Sequence, residues 1–544
     1  FTDRFIDEAW WCPGWGTPDP VETATQVVKN LPFSCPEGFR ITTPASDWPK
    51  VCTPNAGLLR IVSRNRQLKS CPVGPNPCYA ANGEKQRHES DFEFGGEPFV
   101  RSYRSVGQFS QGNVGDYWSH SLGSRIGDYN SYSPYLIDDD GSFLLFQWSG
   151  SEGSATLYRA RGLTDMAVRW LALNVELIDA KGHTRIYSAA NGRLIRRIHA
   201  SDPTLNLDFS YDAGGLLTQV VDGAQRALSF HYSDLQVLVT GAGSGASSIY
   251  RTASLLTEIV LPDGGIVEYS YDTWGNLTNV QRPDGSSRQY HYGEAAHVGA
   301  PSPHLMTGIS DNGLRYATFT YDQYARVKSS TLAGGVERTE LTYVSANEVD
   351  VRTPNGLVRR YTYAPGLHRR LVSITDEHGT ISKVHNSDAR QTESTDRAGR
   401  RTQYTYTNGL VATTTEALGL PEERISTFSR DGMGRITTAV VSGRRSGVHV
   451  PFRKSIFTRD GNVRIVARCS VDPSGPNAGY ICGSSADAPP GVAQTRIEYC
   501  SEADAAVPGG TCPLVGQVKA VDGPAAGAGD TISYSYRPET DLSG

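Results

Sequence analysis

From Asp263 to Gln281 the chain reads DGGIVEYSYDTWGNLTNVQ, and Tyr269 and Tyr271 alternate with Glu268 and Ser270. A period of two places both rings on one face of a β-strand. Tyr271 ends that strand. Asp272 is placed to accept hydrogen bonds from backbone N–H groups two or three residues on. Gly275 is free to take the positive φ that closes a turn, and Asn276 tolerates the same region. Leu277 and Val280 open a second strand. The pattern predicts a β-hairpin with an aromatic incoming strand and an aliphatic outgoing one. A turn at Asp284-Gly285 reverses the chain again and leads into the next aromatic pair, Tyr290 and Tyr292.

The unit recurs. Tyr211-Asp212-Ala-Gly214-Gly215-Leu216 and Tyr321-Asp322-Gln-Tyr-Ala-Arg326-Val327 are further Tyr-Asp copies. Phe428-Ser-Arg-Asp431-Gly432-Met-Gly434-Arg435-Ile436 and Phe457-Thr-Arg-Asp460-Gly461-Asn462-Val463 carry Phe and place Asp three residues later. Tyr404-Thr-Tyr406-Thr-Asn408-Gly409-Leu410 keeps the aromatic pair with a shorter turn. Linking turns at Asp222, Asp263, Asp284, Asp376 and Asp396 are 41, 21, 92 and 20 residues apart. All but the third gap fit one or two periods near twenty, and that gap holds looser copies at Asp311-Asn-Gly313 and Asn355-Gly356. Repetition at a fixed period means an array whose units bury their faces against neighbours.

These Tyr-Asp-x-x-Gly-x-Leu copies resemble the YD repeats of rearrangement-hotspot (Rhs) proteins, a family related to the C components of Tc toxins and to teneurins. A second match lies upstream. Gly74 to Pro77, Asn82 to Lys85, Asp91 to Phe94, Phe99 to Tyr103 and Asp116 to Ser121 resemble the lead-in that precedes the repeats in bacterial Rhs proteins. Together the matches run from about residue 71 to 544. The resemblance implies an all-β fold in which a YD-repeat hairpin array forms a spiralling β-sheet shell, or cocoon, around a toxic C-terminal segment of the same polypeptide. It implies an immunity protein or a secretion-system component as further partners, for interbacterial competition or host targeting. Two alternatives stand beside that reading: a cell-surface adhesion or carbohydrate-binding repeat protein, and a polymorphic toxin whose enzymatic domain lies beyond residue 544. The division expected is a Cys/Pro-rich module at 1–70, an Rhs-type lead-in at 71–180 and a repeat array at 181–544 that is incomplete at its C-terminus.

Composition agrees with many short strands. Hydrophobic residues make up 38% while Gly reaches 57 and Tyr 27, a balance poor for helices with aliphatic cores. A net charge of −5, from 52 basic and 57 acidic residues interspersed along the chain, leaves no footprint for nucleic acid. No apolar run approaches the ~20 residues of a membrane-spanning helix, and Phe1 begins no recognisable signal peptide. The stop shortly after Tyr534 and Tyr536 suggests a fragment of a longer protein.

Nine cysteines fall into two groups, Cys12, Cys35, Cys52, Cys71 and Cys78, then Cys469, Cys482, Cys500 and Cys512. The second group closes two short Pro- and Gly-containing loops, so Cys469–Cys482 and Cys500–Cys512 read as disulfide staples of an exported protein, secreted or on the cell surface. Their spacings of 13 and 12 lack the Cys-x2–4-Cys knuckles of zinc sites. Near the N-terminus, Asp19 and Pro20 suit the start of one short helix. A Cys35–Cys52 bridge would support a small module there, with Trp10, Trp11 and Trp15 in its core rather than on a sugar-binding platform. Cys71 and Cys78 are further disulfide candidates.

Other candidates for chemistry read as structure. Ser119 and His120 are neighbours on a strand and point to opposite faces, with no Gly-x-Ser-x-Gly elbow around them. Asp138-Asp139-Asp140-Gly141 lacks the Asp-x-Asp-x-Asp-Gly alternation and distal Glu of a calcium loop, and reads as a hairpin turn. His183, His231, His291 and His385 sit at scattered phases of the repeat. The turn Asp residues recur as turn chemistry demands. No catalytic residue, metal ligand or cofactor site is assigned.

Overall fold

The computed structural model describes residues 39–42, 51–54 and 78–536, the last without 106–112, 129–133, 161–165, 180–181, 201, 241–248, 366–369, 387–389, 408, 432–433, 462–463, 484–487, 508 and 526–527. The expectations for the Asp19 helix, the three Trp, Cys12, a Cys35–Cys52 bridge, and the pairing of Cys71 or Cys78 lie outside what is described. Within the N-terminal region, Phe39–Thr42 pairs antiparallel with Val51–Pro54.

From Phe143–Glu152 to Thr531–Ser533, 31 strands form one antiparallel sheet in which each strand pairs with the next in sequence. Two more, Arg125–Asp128 and Pro134–Ile137, pair in turn onto the N-terminal part of Phe143–Glu152. Pairing crosses the expected boundary between lead-in and repeats, since Asn174–Asp179 joins Thr184–Ser188. No described pairing joins the last strand to the first, so the sheet is an open ribbon. The ribbon comes round on itself: a Cβ built on Gly434 would lie 1.8 Å from Nη1 of Arg159. Further on, Tyr536 comes within electrostatic reach of Asp202. The fold is an all-β spiralling shell, as expected. A separate four-stranded sheet, Cys78–Tyr79, Glu84–Phe94, Glu97–Arg104 and Trp118–His120, packs across it.

The organising hairpin shows why these residues turn. Oδ1 of Asp272 accepts from the N–H groups of Trp274 and Asn276, each at 2.9 Å, so the carboxylate reaches two and four residues on rather than two and three. Gly275 takes φ of 75°, whereas Asn276 has no positive φ and is buried, with Nδ2 donating to Oδ2 of Asp272. Five turns use arginine at that last position. Arg226, Arg326, Arg400, Arg435 and Arg464 each give the backbone N–H to Oδ1 and Nε to Oδ2 of the Asp four residues before. At Asp212 only the Leu216 N–H is held, at 2.8 Å.

The hairpins that turn at Asp212, Asp272, Asp322, Asp431 and Asp460 also carry one extra residue. Ser270 lies opposite Asn279 but Tyr271 opposite Leu277, which leaves Thr278 as a bulge. Thr218 and Thr392 repeat the arrangement, and all three hydroxyls donate to the facing carbonyl, of Ser210, Ser270 and Val384. A bulge bends its strand and raises the local twist. Between hairpins the pairing is shorter. Only Gln281, Val280 and Asn279 meet Ser287, Arg288 and Gln289, so neighbouring hairpins splay toward the Tyr-Asp turns.

Both expected C-terminal disulfides, Cys469–Cys482 and Cys500–Cys512, are formed. The first folds its loop back on the face away from the tyrosines, where Cys469, Cys482, Ala467, Val471 and Val492 make a small core. The second encloses a one-turn helix, Glu502–Ala505, capped reciprocally by Ser501 and Asp504.

Two measurements test this local reading. Gly275 and Gly285 both have positive φ, but a Cβ at Gly275 would lie 2.9 Å from Val237 while none of the neighbours of Gly285 comes within 4 Å. Gly285→Ala is expected to cost about 1–3 kcal/mol of strain, and Gly275→Ala more than that. Equal losses in urea denaturation would remove the Val237 contact as a cause. Unchanged hydrogen-exchange protection over residues 255–295 in Gly275→Val would sink the hairpin assignment. Non-reducing peptide mapping should recover both cysteine pairs, and Cys500→Ser should cost about 3 kcal/mol of loop entropy. Free thiols at these four positions in exported protein would disprove the staples.

Candidate functional site: the aromatic face

Tyr269, Tyr271, Leu277 and Val280 share one face of the ribbon, and the repeats continue it. At the splayed end, where backbone pairing between hairpins has stopped, the last Tyr of each incoming strand reaches across the gap. Its hydroxyl donates to the carbonyl of the residue where the preceding outgoing strand begins or bulges. Tyr211 reaches Leu194, Tyr271 reaches Leu256, Tyr292 reaches Leu277, Tyr321 reaches Met306 and Tyr406 reaches Gln391, at 2.6 to 2.8 Å. Where Arg stands in place of Tyr, a guanidinium makes the same bond: Arg430 to Val411 at 3.2 Å and Arg459 to Ile436 at 3.0 Å. Burial is the main cause that pushes the phenols of Tyr211 and Tyr271 up, which keeps them neutral donors.

Over one half of the array the lead-in sheet covers this face. It supplies backbone partners at the gaps: Val327 donates to the carbonyl of Gly83, Leu256 to that of Asn113, and Met306 to the hydroxyl of Tyr103. It also brings charges. Arg101 and Asp91 form a fully buried bidentate pair at 2.6 and 2.8 Å. Tyr269 donates to Asp91 at 3.0 Å, Tyr290 accepts from Arg101 at 3.1 Å, and the guanidinium lies over Trp118. Burial opposes the Arg101 charge, but the pull of Asp91, then of Tyr290, outweighs it and raises the pKa. Nearby, Glu89 pairs with Arg87 and Arg288, and Glu84 holds Arg104 at 2.7 Å. The result is one core from Ala80 to Leu371 in which Tyr269, Tyr290 and Tyr361 are buried.

Past Leu371 the cover ends. Tyr404, Tyr406, Phe428, Phe457 and Tyr499 occupy matching positions and are only half-buried. The same face is therefore a core in one half and an open surface in the other.

The remaining sequence candidates are structural. Ser119 and His120 are buried: Oγ of Ser119 donates to Ser102 at 3.5 Å, while His120 accepts from the Leu122 amide and packs 5.2 Å from Phe99. Asp138 to Gly141 is a hairpin turn whose Asp138 and Asp139 hold Arg185 and Arg197 at 2.6 and 3.0 Å. His183 lies against His199 with ring centroids 4.3 Å apart, and His291 meets Ser310, so His183 and His291 have separate partners. Among the described residues no three His, Cys, Asp or Glu gather for a metal, and no helix is long and apolar enough to cross a membrane. The tyrosine rungs, the arginine substitutes for them and the buried Asp91–Arg101 pair were not foreseen.

Residues 252–293 match the RHS repeat family model. They are an RHS repeat. The match spans Tyr269, Tyr271, Asp272, Gly275 and Leu277, whose turn and rung recur at Tyr211-Asp212 and Tyr321-Asp322 along the sheet. Three solved structures are similar in fold. A crystal structure of TcdB2-TccC3 has a TM-score of 0.41 and 10% identity over 91% of this chain. One of TcdB2-TccC3 without its hypervariable C-terminal region has 0.40 and 9% over 92%. One of TcdB2-TccC3-Cdc42 has 0.39 and 10% over 90%. This chain spans 31%, 30% and 29% of those chains respectively. No curated protein matches it by sequence.

Asp91→Asn leaves Arg101 buried without its counter-charge and is expected to cost about 3–5 kcal/mol. Tyr406→Phe, at a half-buried rung, should cost about 1 kcal/mol. Replacing both partners, Asp91→Leu with Arg101→Met, should recover much of the first loss. An unchanged denaturation midpoint in Asp91→Asn would show that the pair does not tie the lead-in to the array.

Proposed function

We propose that this chain is the structural shell of an Rhs-type protein, enclosing a polypeptide cargo and helping to deliver it. One observation carries the reading: a ribbon that winds round on itself has filled half of its aromatic face with its own lead-in and left the other half open. A wound sheet with short, paired strands limits exposed edges, while open aromatic positions offer contact to another chain. The family resemblance supplies the cargo's nature, a C-terminal toxin of the same polypeptide. Two disulfides favour an exported, oxidising setting, secreted or at the cell surface. The role is structural rather than enzymatic, because Asp222, Asp272, Asp322, Asp396, Asp431 and Asp460 spend their carboxylates on turns.

Limited proteolysis of the full-length protein tests this. The proposed C-terminal cargo should resist protease while the shell is folded and become sensitive when denaturant opens it. Digestion at the same rate with and without a folded shell would overturn the reading.

A further inference from the structure

The open half of the aromatic face has a charge that the chain as a whole does not have. From Gly379–His385 to Val492–Tyr499, strand register puts Lys383, Arg424, Arg430, Arg453, Arg459 and Arg468 on this face. Among the described residues of these strands, one carboxylate faces them, Glu416, opposite Arg424. The chain's net charge is −5, so this excess is local.

Among the described residues none of these cations forms an ion pair, although Asp431, itself paired with Arg435, pulls on Arg430 and Arg459. Arg430 and Arg459 donate to backbone carbonyls, of Gly434 and Val411 and of Ile436. Arg453 and Arg468 are exposed, and Arg468 lies over the Phe457 ring at 5.7 Å. The spiral adds positive charge: Arg159 arrives from the preceding turn beside Arg430, Arg435 and Asp431. Burial first, then the two arginines, lower its pKa against the pull of Asp431.

The covered half shows how such a face is filled. There an extended strand, Glu84–Phe94, lays carboxylates against the array's phenols and guanidiniums. Asp91 takes the Tyr269 hydroxyl and stands 3.8 Å from Arg282, and Glu89 pairs with Arg288. Its flanking Gly83 offers a backbone carbonyl to Val327. The open half presents the same repeat with rings, guanidiniums and strand starts in matching places, but without an acidic strand.

We infer that the open half of the aromatic face binds an extended polypeptide that carries carboxylates. The inference rests on the shell reading and adds the chemistry of what the shell holds. Each contact between an exposed arginine and a carboxylate is weak and screened by salt, so binding draws on several at once, with ring contacts between them.

Fluorescence anisotropy of the full-length protein with two labelled, unstructured peptides tests it. One is rich in Glu, Tyr and Ser and the other in Lys, Tyr and Ser, of equal length. The acidic peptide should bind at least about tenfold tighter at low salt, and high salt should remove most of the difference. Arg453→Gln with Arg468→Gln should weaken the acidic peptide several-fold while the melting temperature holds. Arg360→Gln, on the opposite face and paired with Asp350, should leave it unchanged. Equal affinity for the two peptides, no binding of either, no effect of the double variant, or an equal effect of Arg360→Gln would each overturn the inference. Protease protection of the cargo reads the shell function independently, so the two failures are separable.

Discussion

The structure depends on the hydroxyl that spans the gap between hairpins. Within the organising hairpin the backbone ladder runs nearly to the turn, but between it and the next hairpin it stops after three residues, Asn279 to Gln281. A sheet that kept full pairing throughout would stay an ordinary twisted sheet. One that lost pairing on a single side would expose backbone groups there, which are costly to bury unpaired. Tyr271, Tyr292 and their equivalents resolve this by placing a donor about one ring's length from the backbone, so the gap is bonded rather than empty. Bulges at Thr218, Thr278 and Thr392 act in the same direction, since they bend the outgoing strand at the level of the rung.

A hydroxyl satisfies one carbonyl but not the amides beside it, which is where the lead-in enters. Gly83, Asn113 and Tyr103 each accept a bond from the start or bulge of an outgoing strand. Close approach needs small residues: a Cβ on Gly115 would lie 2.8 Å from the carbonyl of Gly275. Placing charged strands in this core demands that each charge be matched, and the Asp91–Arg101 pair meets the demand with two array phenols and an indole face. Such a pair is weak evidence for stability, yet removing one member is destructive. It fixes where the lead-in sits.

Sequence reading reached what is local. The Tyr-Asp-x-x-Gly spacing specifies its own turn, so Asp272, Gly275 and the flanking strands were legible within some ten residues, and so were two disulfides that close short loops. What sequence reading missed is non-local. The carbonyl that Tyr271 reaches belongs to Leu256, in a different hairpin, and the carboxylate held by Tyr269 lies on a strand 178 positions away. Arg430 and Arg459 looked like degenerate positions because the family pattern names a ring, whereas the site asks for a long donor. Guanidinium and phenol both supply one. Even the Asp turn was read one residue short, because the second bond goes to the amide four residues on.

In a repeat array stability is roughly a sum of unit terms and neighbour interfaces. The lead-in breaks that rule on the half it covers, since one sheet touches strands from Leu207 to Tyr343 and ties them to a common core. Beyond Leu371 nothing described plays that part, and the rings that would be core are half-exposed. Both described disulfides lie there, around Val492–Tyr499, and they gather buried groups on the opposite face and at the strand end: Cys469, Cys482, Val471, Val492, Cys500 and Cys512. Covalent loops that restrict the unfolded chain stand in for apolar area that this part of the sheet does not bury. The aromatic face can thus remain open because its strands are held from behind.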